Sequence, residues 1–192
     1  GGNKYHATVG SGVPAQSVAA SNGAGQIQQG AIELSNVNVM QEMTNLIKGI
    51  DVSRWQGTDI NWEKVKADGY LFSFMKVTDG SAYSSKFIEM GKIQATDAKK
   101  AGLKIGYYHF AHPSNFSGIE KDAKDEANYF LKMLKTFPKP NFPLVLDFED
   151  EKMTLSLDET EQWITLFRKV IITAGYELII YSYADYLTRR LP

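Results

Sequence analysis

Residues 48–55 (KGIDVSRW), 70–78 (YLFSFMKVT), 104–111 (KIGYYHFA), 143–150 (PLVLDFED) and 177–183 (ELIIYSY) are five short runs dense in β-branched and aromatic side chains. That is the pattern of strands buried on both faces. Between them the apolar spacing lengthens to that of helices. Residues 61–68 stop at Gly69 and residues 86–101 at Gly102. Ala123, Ala127, Phe130, Leu131 and Leu134 form one stripe closed by Pro138. Ser156 and Glu159 have capping-box spacing ahead of Trp163, Phe167, Val170, Ile171, Ala174 and the stop at Gly175. Such strands alternating with amphipathic helices predict a parallel sheet covered by helices and wound in one hand. The expected fold is α/β, an incomplete (β/α) barrel of TIM-like type with five parallel strands; a doubly wound open sheet is the alternative.

The first 47 residues differ from the rest. They carry three charged side chains (Lys4, Glu33 and Glu42) and one aromatic, Tyr5, whereas all three Trp and all ten Phe lie beyond them. The opening stretch, rich in Gly, Ser and Ala, reads as a flexible arm. From residue 34 to 47, Leu34, Val37, Met40, Met43 and Ile47 recur at helical spacing, so one amphipathic helix is expected there. With nothing local to bury its stripe, that helix is expected to need a partner. Two domains are therefore expected, 1–47 and 48–192. The 192 residues balance 21 basic against 22 acidic groups, for a net charge of -1, and contain no cysteine. This charge gives no long-range attraction to nucleic acid or to an anionic membrane. No apolar run has the ~18 residues of a membrane span, and a disulfide scaffold, a thiol nucleophile and Cys-ligated zinc are excluded.

In parallel α/β proteins, sites gather at the carboxyl ends of the strands. There this sequence places Asp51 and Ser53, Lys76 and Thr78, Tyr108 and His109, Asp147, Glu149, Asp150 and Glu151, and Tyr181 and Tyr183. The two-residue period of a strand puts Asp147 and Glu149 on one face and Leu146 and Phe148 on the other. Two adjacent carboxylates repel, which raises the affinity of one for its proton and suits it to general acid catalysis. Asp51 adds a third carboxylate. Acids beside aromatic rings fit a sugar substrate, with carboxylates for the glycosidic oxygen and rings for the pyranose faces. Trp55, Lys76, Tyr108, His109 and Tyr181 are the candidates for substrate binding. Against this stand packing roles for Trp55 and Tyr181, a hydrogen-bonded core role for His109, and a capping or solvent-facing role for Asp150 and Glu151. A metal cluster of Asp51, His109, Asp147 and Glu149 lacks the HxH or HExxH spacing that would support it.

The runs DVSRWQG from Asp51, FMKVTDG from Phe74, GYYHFA from Gly106 and LDFE from Leu146 together resemble, in order, the motifs of the glycoside hydrolase family 25 lysozymes, over about residues 48–192. The resemblance implies hydrolysis of the β-1,4 bond between N-acetylmuramic acid and N-acetylglucosamine in peptidoglycan, without metal or cofactor, outside the cytoplasm or delivered by a phage. It implies that Glu149 is the acid/base, with Asp147 and Asp51 as its companions. Two mechanisms stay open, one with an Asp nucleophile and one in which Asp147 orients the substrate's own N-acetyl oxygen. The family's barrel continues past the fifth strand, so a fragment of a longer protein is expected. The run GAIELSNVNV from Gly30 is similar to the C-terminal region of flagellar rod and hook axial proteins, which puts a seam at Ile47/Lys48. An inactive wall-binding module and a structural axial component are the alternatives to an enzyme.

Overall fold

The computed structural model describes residues 48–183. The arm and the helix expected over 34–47 lie outside them. The described elements are β1 (Lys48–Val52), a 3-10 turn (Arg54–Gln56), α1 (Trp62–Ala67), β2 (Tyr70–Asp79), α2 (Ser85–Lys100), β3 (Lys104–Phe110), α3 (Ile119–Leu134), β4 (Leu144–Asp147), α4 (Leu157–Thr173) and β5 (Leu178–Tyr181). All adjacent strands pair in parallel, in the order β1-β2-β3-β4-β5. This order never reverses, so it lacks the switch point of a doubly wound sheet and follows the winding of a TIM-type barrel.

Local chemistry accounts for the elements. The Asn61 side chain accepts the Lys64 N–H at the start of α1, and Ser156 and Glu159 form a complete capping box on α4. One sheet face, carrying Met75, Val77, Ile105, Leu144, Leu146 and Phe148, is buried. The helices contribute Ala95, Ala98, Ala127, Phe130, Trp163 and Phe167 to the same core. Among the described residues no helix is long and apolar enough to cross a membrane.

The other face is the inside of the curve. There Phe72 and Phe74 meet Phe142, with ring centroids 5.5 and 5.4 Å apart. Their rings lie over the glycines of the neighbouring strands: a Cβ on Gly49 would fall 1.9 Å from Phe72, and one on Gly106 2.2 Å from Phe74. Glycine on one strand makes room for phenylalanine on the next. Gly106→Val is therefore expected to push Phe74 out of its stack and to cost about 1–3 kcal/mol of stability. The check is a lower urea midpoint at unchanged m-value.

Candidate active site

The inner face ends in a cleft of about 470 Å³ at the carboxyl ends of β1, β3, β4 and β5. Asp51, Asp147 and Glu149 all line it, with Tyr108, Phe74 and Tyr181 among its walls. Asp147 closes β4 and Glu149 follows two residues later on the same side, while Leu146 and Phe148 point into the core at 0% and 1% exposure. Ladder bonds continue past the strand: Phe148 donates its N–H to Tyr181 at 2.8 Å and Ala111 donates to Asp147 at 3.0 Å. The segment carrying Glu149 is thus held by backbone on both sides.

Electrostatics separates the two acids. Burial, and then the charge of Glu149, push Asp147 up to about 7, against the pull of Lys76. Glu149 is also raised, chiefly by burial and further by Asp51, while hydrogen bonds from Tyr183 and with Asp147 oppose the rise. The contact between the two carboxyls requires a proton on one of them, so the pair holds a proton that a lone exposed acid would have lost. Asp147 Oδ1 and Glu149 Oε1 are buried and carry no hydrogen bond, which adds to the cost of ionising either acid. Tyr108 is raised by burial and by the charges of Asp51 and Asp147, so its phenol is a hydrogen-bond donor at neutral pH.

A second polar cluster lies at the rim. Lys76 Nζ donates to Asp79 at 2.8 Å, His112 Nε2 faces Asp79 at 2.7 Å, and His112 Nδ1 faces Asp150 at 2.8 Å. Lys76 and His112 hold the Asp79 carboxyl down at about 2 against its partial burial. Beyond β1, Ser53 and Gln56 close a capping box on the 3-10 turn, and buried Gln94 donates to the carbonyls of Ser53 and Gly57 at 2.8 and 2.6 Å. That anchors the turn bearing Trp55 to α2.

Residues 50–191 match the model of the glycosyl hydrolases family 25. The chain belongs to glycosyl hydrolase family 25. Lysozyme M1 of Streptomyces globisporus is 32% identical over 151 residues, 74% of this chain and 48% of its own. The chain thus spans about half the length of that curated relative. A family GH25 lysozyme from Aspergillus fumigatus superposes with a TM-score of 0.60 at 28% identity, covering 75% of this chain and 68% of its own. The modular Cpl-1 endolysin, solved with a peptidoglycan analogue, superposes with a TM-score of 0.58 at 25% identity, over 75% of this chain and 38% of its own. Residues 28–49 separately match the C-terminal model of flagellar basal body rod FlgEFG proteins.

Within the family 25 domain the structure gathers Asp51, Asp147, Glu149, Tyr108 and Tyr181 around the cleft. Lys76, on β2, is not among the lining residues; its Nζ lies 4.3 Å from the Phe110 ring centroid, and its charge acts on Asp147. Trp55 is 78% exposed beside Arg54, whose guanidinium lies 4.6 Å over its ring. One expectation is corrected: His109 does not reach the cleft. It is fully buried on the helix side, stacked between Phe130 and Phe167, with Nδ1 against Thr78 Oγ1 and Nε2 against Glu126 Oε2, both at 2.8 Å. A ring at an odd position on β3 points away from Tyr108, so the four-residue metal set containing it never assembles. No group of three His, Cys, Asp or Glu is placed to hold a metal among the described residues.

Asp150 is corrected as well. Ser156, not Asp150, caps α4, and Asp150 binds His112 instead. Three residues of the site have no distinguishing local signal in the sequence: Tyr183 as a donor to Glu149, and the pair Asp79 and His112. Tyr183 stood among the strand-end polar residues without anything to single it out. Asp79 was hidden by a register shift between Lys76 and Thr78. The shift turns Thr78 toward His109 and brings Asp79 back to the side of Lys76, against simple alternation.

Proposed function

We propose that the family 25 domain is a peptidoglycan muramidase, cleaving the β-1,4 bond between N-acetylmuramic acid and N-acetylglucosamine. The observation that carries this reading is the meeting of Asp51, Asp147 and Glu149 in one aromatic-walled cleft. Glu149 is the acid/base: it protonates the departing glycosidic oxygen and then takes a proton from water. Asp147 shares a proton with Glu149; with that proton on Glu149, the Asp147 carboxylate holds the substrate's N-acetyl group or the developing positive charge, and Asp51 adds negative potential. Phe74, Tyr108 and Tyr181 supply the surface against which sugar rings stack. The lysozyme and endolysin names of the matched proteins support a cell-wall substrate and an extracytoplasmic or phage-delivered site of action.

The test is incubation of the chain with purified sacculi, borohydride reduction, and mass spectrometry of the soluble fragments. Reduced muramic acid ends are expected. Sedimentation of the chain with sacculi and no new ends would replace the enzyme with a wall-binding module. The match over residues 28–49 favours a second element in this reading: the N-terminal segment, with its expected helix over 34–47, attaches the domain to a flagellar axial structure. Co-sedimentation of the full chain with isolated rod and hook structures, in the absence of peptidoglycan, checks it.

A further inference from the structure

His112 joins the ends of β2 and β4, which pair with β3 and not with each other. One ring nitrogen faces Asp79, the last residue of β2, and the other faces Asp150, which directly follows Glu149. The residue is held in this position from three sides. Its backbone N–H donates to the buried Glu126 carboxylate at 3.2 and 3.3 Å. Its ring lies 5.1 Å from the Phe110 ring, and a Cβ on Gly80, whose φ is +59°, would come within 3.1 Å of it. The side chain nevertheless keeps 46% of its exposure. A free surface histidine would have neither this packing nor a carboxylate at each nitrogen. Two acceptors require two N–H donors, so the ring is an imidazolium.

We propose that His112 is a positioning residue for the Asp147–Glu149 pair: its two ring N–H groups strap the end of β2 to the segment after Glu149, keeping Lys76 facing Asp147 and Glu149 beside it. The proposal rests on the muramidase reading for its effect on turnover. The charged groups that face the ring are Asp79, with Lys76 behind it, from β2, and Asp150 from the segment after β4; Glu126 of α3 meets its backbone. A neutral imidazole has one N–H and can serve only one of the two carboxylates. The hydrogen bond to Asp79, and then that to Asp150, raise the imidazole to about 9, so the strap is complete at neutral pH and opens in the alkaline range. Its effect falls on geometry. Glu149 must reach a glycosidic oxygen, and displacements near 1 Å at such a position lower turnover by up to roughly a hundredfold.

The experiment compares wild type with His112→Gln, which keeps a donor but no charge, and His112→Arg, which keeps charge and several donors at every pH. Kinetics on soluble peptidoglycan fragments should show kcat about tenfold lower in His112→Gln at pH 7, with KM within about twofold. Every form loses the proton shared by Asp147 and Glu149 above about pH 7, so the readout is a ratio: wild-type kcat should fall further than that of His112→Arg through about pH 9. Carboxyl NMR titration of Asp147 and Glu149 gives a readout independent of cleavage: their apparent titrations should move in His112→Gln and return in His112→Arg. Unchanged titrations in both variants, or a His112 ring titrating near the ordinary 6.5, overturn the proposal even if no form of the chain cleaves peptidoglycan. Equal kcat in wild type and His112→Gln overturns it too. Should His112→Gln not fold, the wild-type ring titration and the ratio of wild-type to His112→Arg kcat through about pH 9 decide.

Discussion

Glu149→Gln is expected to release new reducing ends from peptidoglycan about 10²–10⁴-fold more slowly than wild type, the range over which a positioned general acid contributes. The substitution preserves shape and volume. The amide oxygen can still accept from Tyr183, which donates to Glu149 in the native site, and Phe148 and Ala111 keep their ladder bonds. What disappears is the transferable proton. Glu149 is raised chiefly by burial and then by Asp51, the two influences that keep a carboxylic acid protonated for the departing glycosidic oxygen. Melting temperature and pelleting with sacculi should both be retained, so that the loss is one of chemistry. If the variant keeps activity within about tenfold of wild type, the acid is Asp147 instead, and the roles within the pair exchange.

The parts of the site that depend on chain-local periodicity were legible from the residues. The alternation of Leu146, Asp147, Phe148 and Glu149 is enough to put both acids on one face, because a strand's two faces are fixed by geometry alone. The Ser156–Glu159 box likewise needs only three residues of separation. His109 and His112 show where this reasoning stops. His109 lies within β3, where alternation sets it opposite Tyr108, and His112 comes two residues after the strand; nothing local says that the first stacks between Phe130 and Phe167 while the second bridges Asp79 and Asp150. Those partners lie 33 and 38 residues from His112 and become neighbours only once the parallel sheet has formed. The register shift after Lys76 added a second difficulty: it changed which of Thr78 and Asp79 shares the face of Lys76, and Asp79 is the acid that holds both Lys76 and His112. A hydrogen-bonded charge network made across three strand ends is a product of tertiary structure, whereas a pair of acids on one strand is a product of the strand.

Asp147→Asn is expected to make the domain more stable and the enzyme much slower. In the native fold Asp147 Oδ1 is buried without a hydrogen bond, and burial followed by the charge of Glu149 raises the carboxyl to about 7 from an ordinary 3.8. A group with a raised folded value stabilises the fold fully below its unfolded value and loses that contribution as pH rises through the folded one. Between about pH 4 and 7 the wild-type domain therefore becomes progressively less stable, and by pH 8 it carries an ionised carboxylate that the site disfavours. Asparagine has no such charge. Urea unfolding should show the variant more stable by on the order of 1–2 kcal/mol at pH 8, with the gap closing toward pH 4. Over the same change turnover should fall by about 10²–10³, the loss typical of removing one preorganised group that meets developing charge. The opposition between the two effects identifies the residue: an acid that merely braced the fold would lose stability when replaced, and its loss would not shrink with acidification. A variant equally stable at pH 8 and pH 4 relative to wild type would mean that Asp147 is solvated and does not share its proton with Glu149.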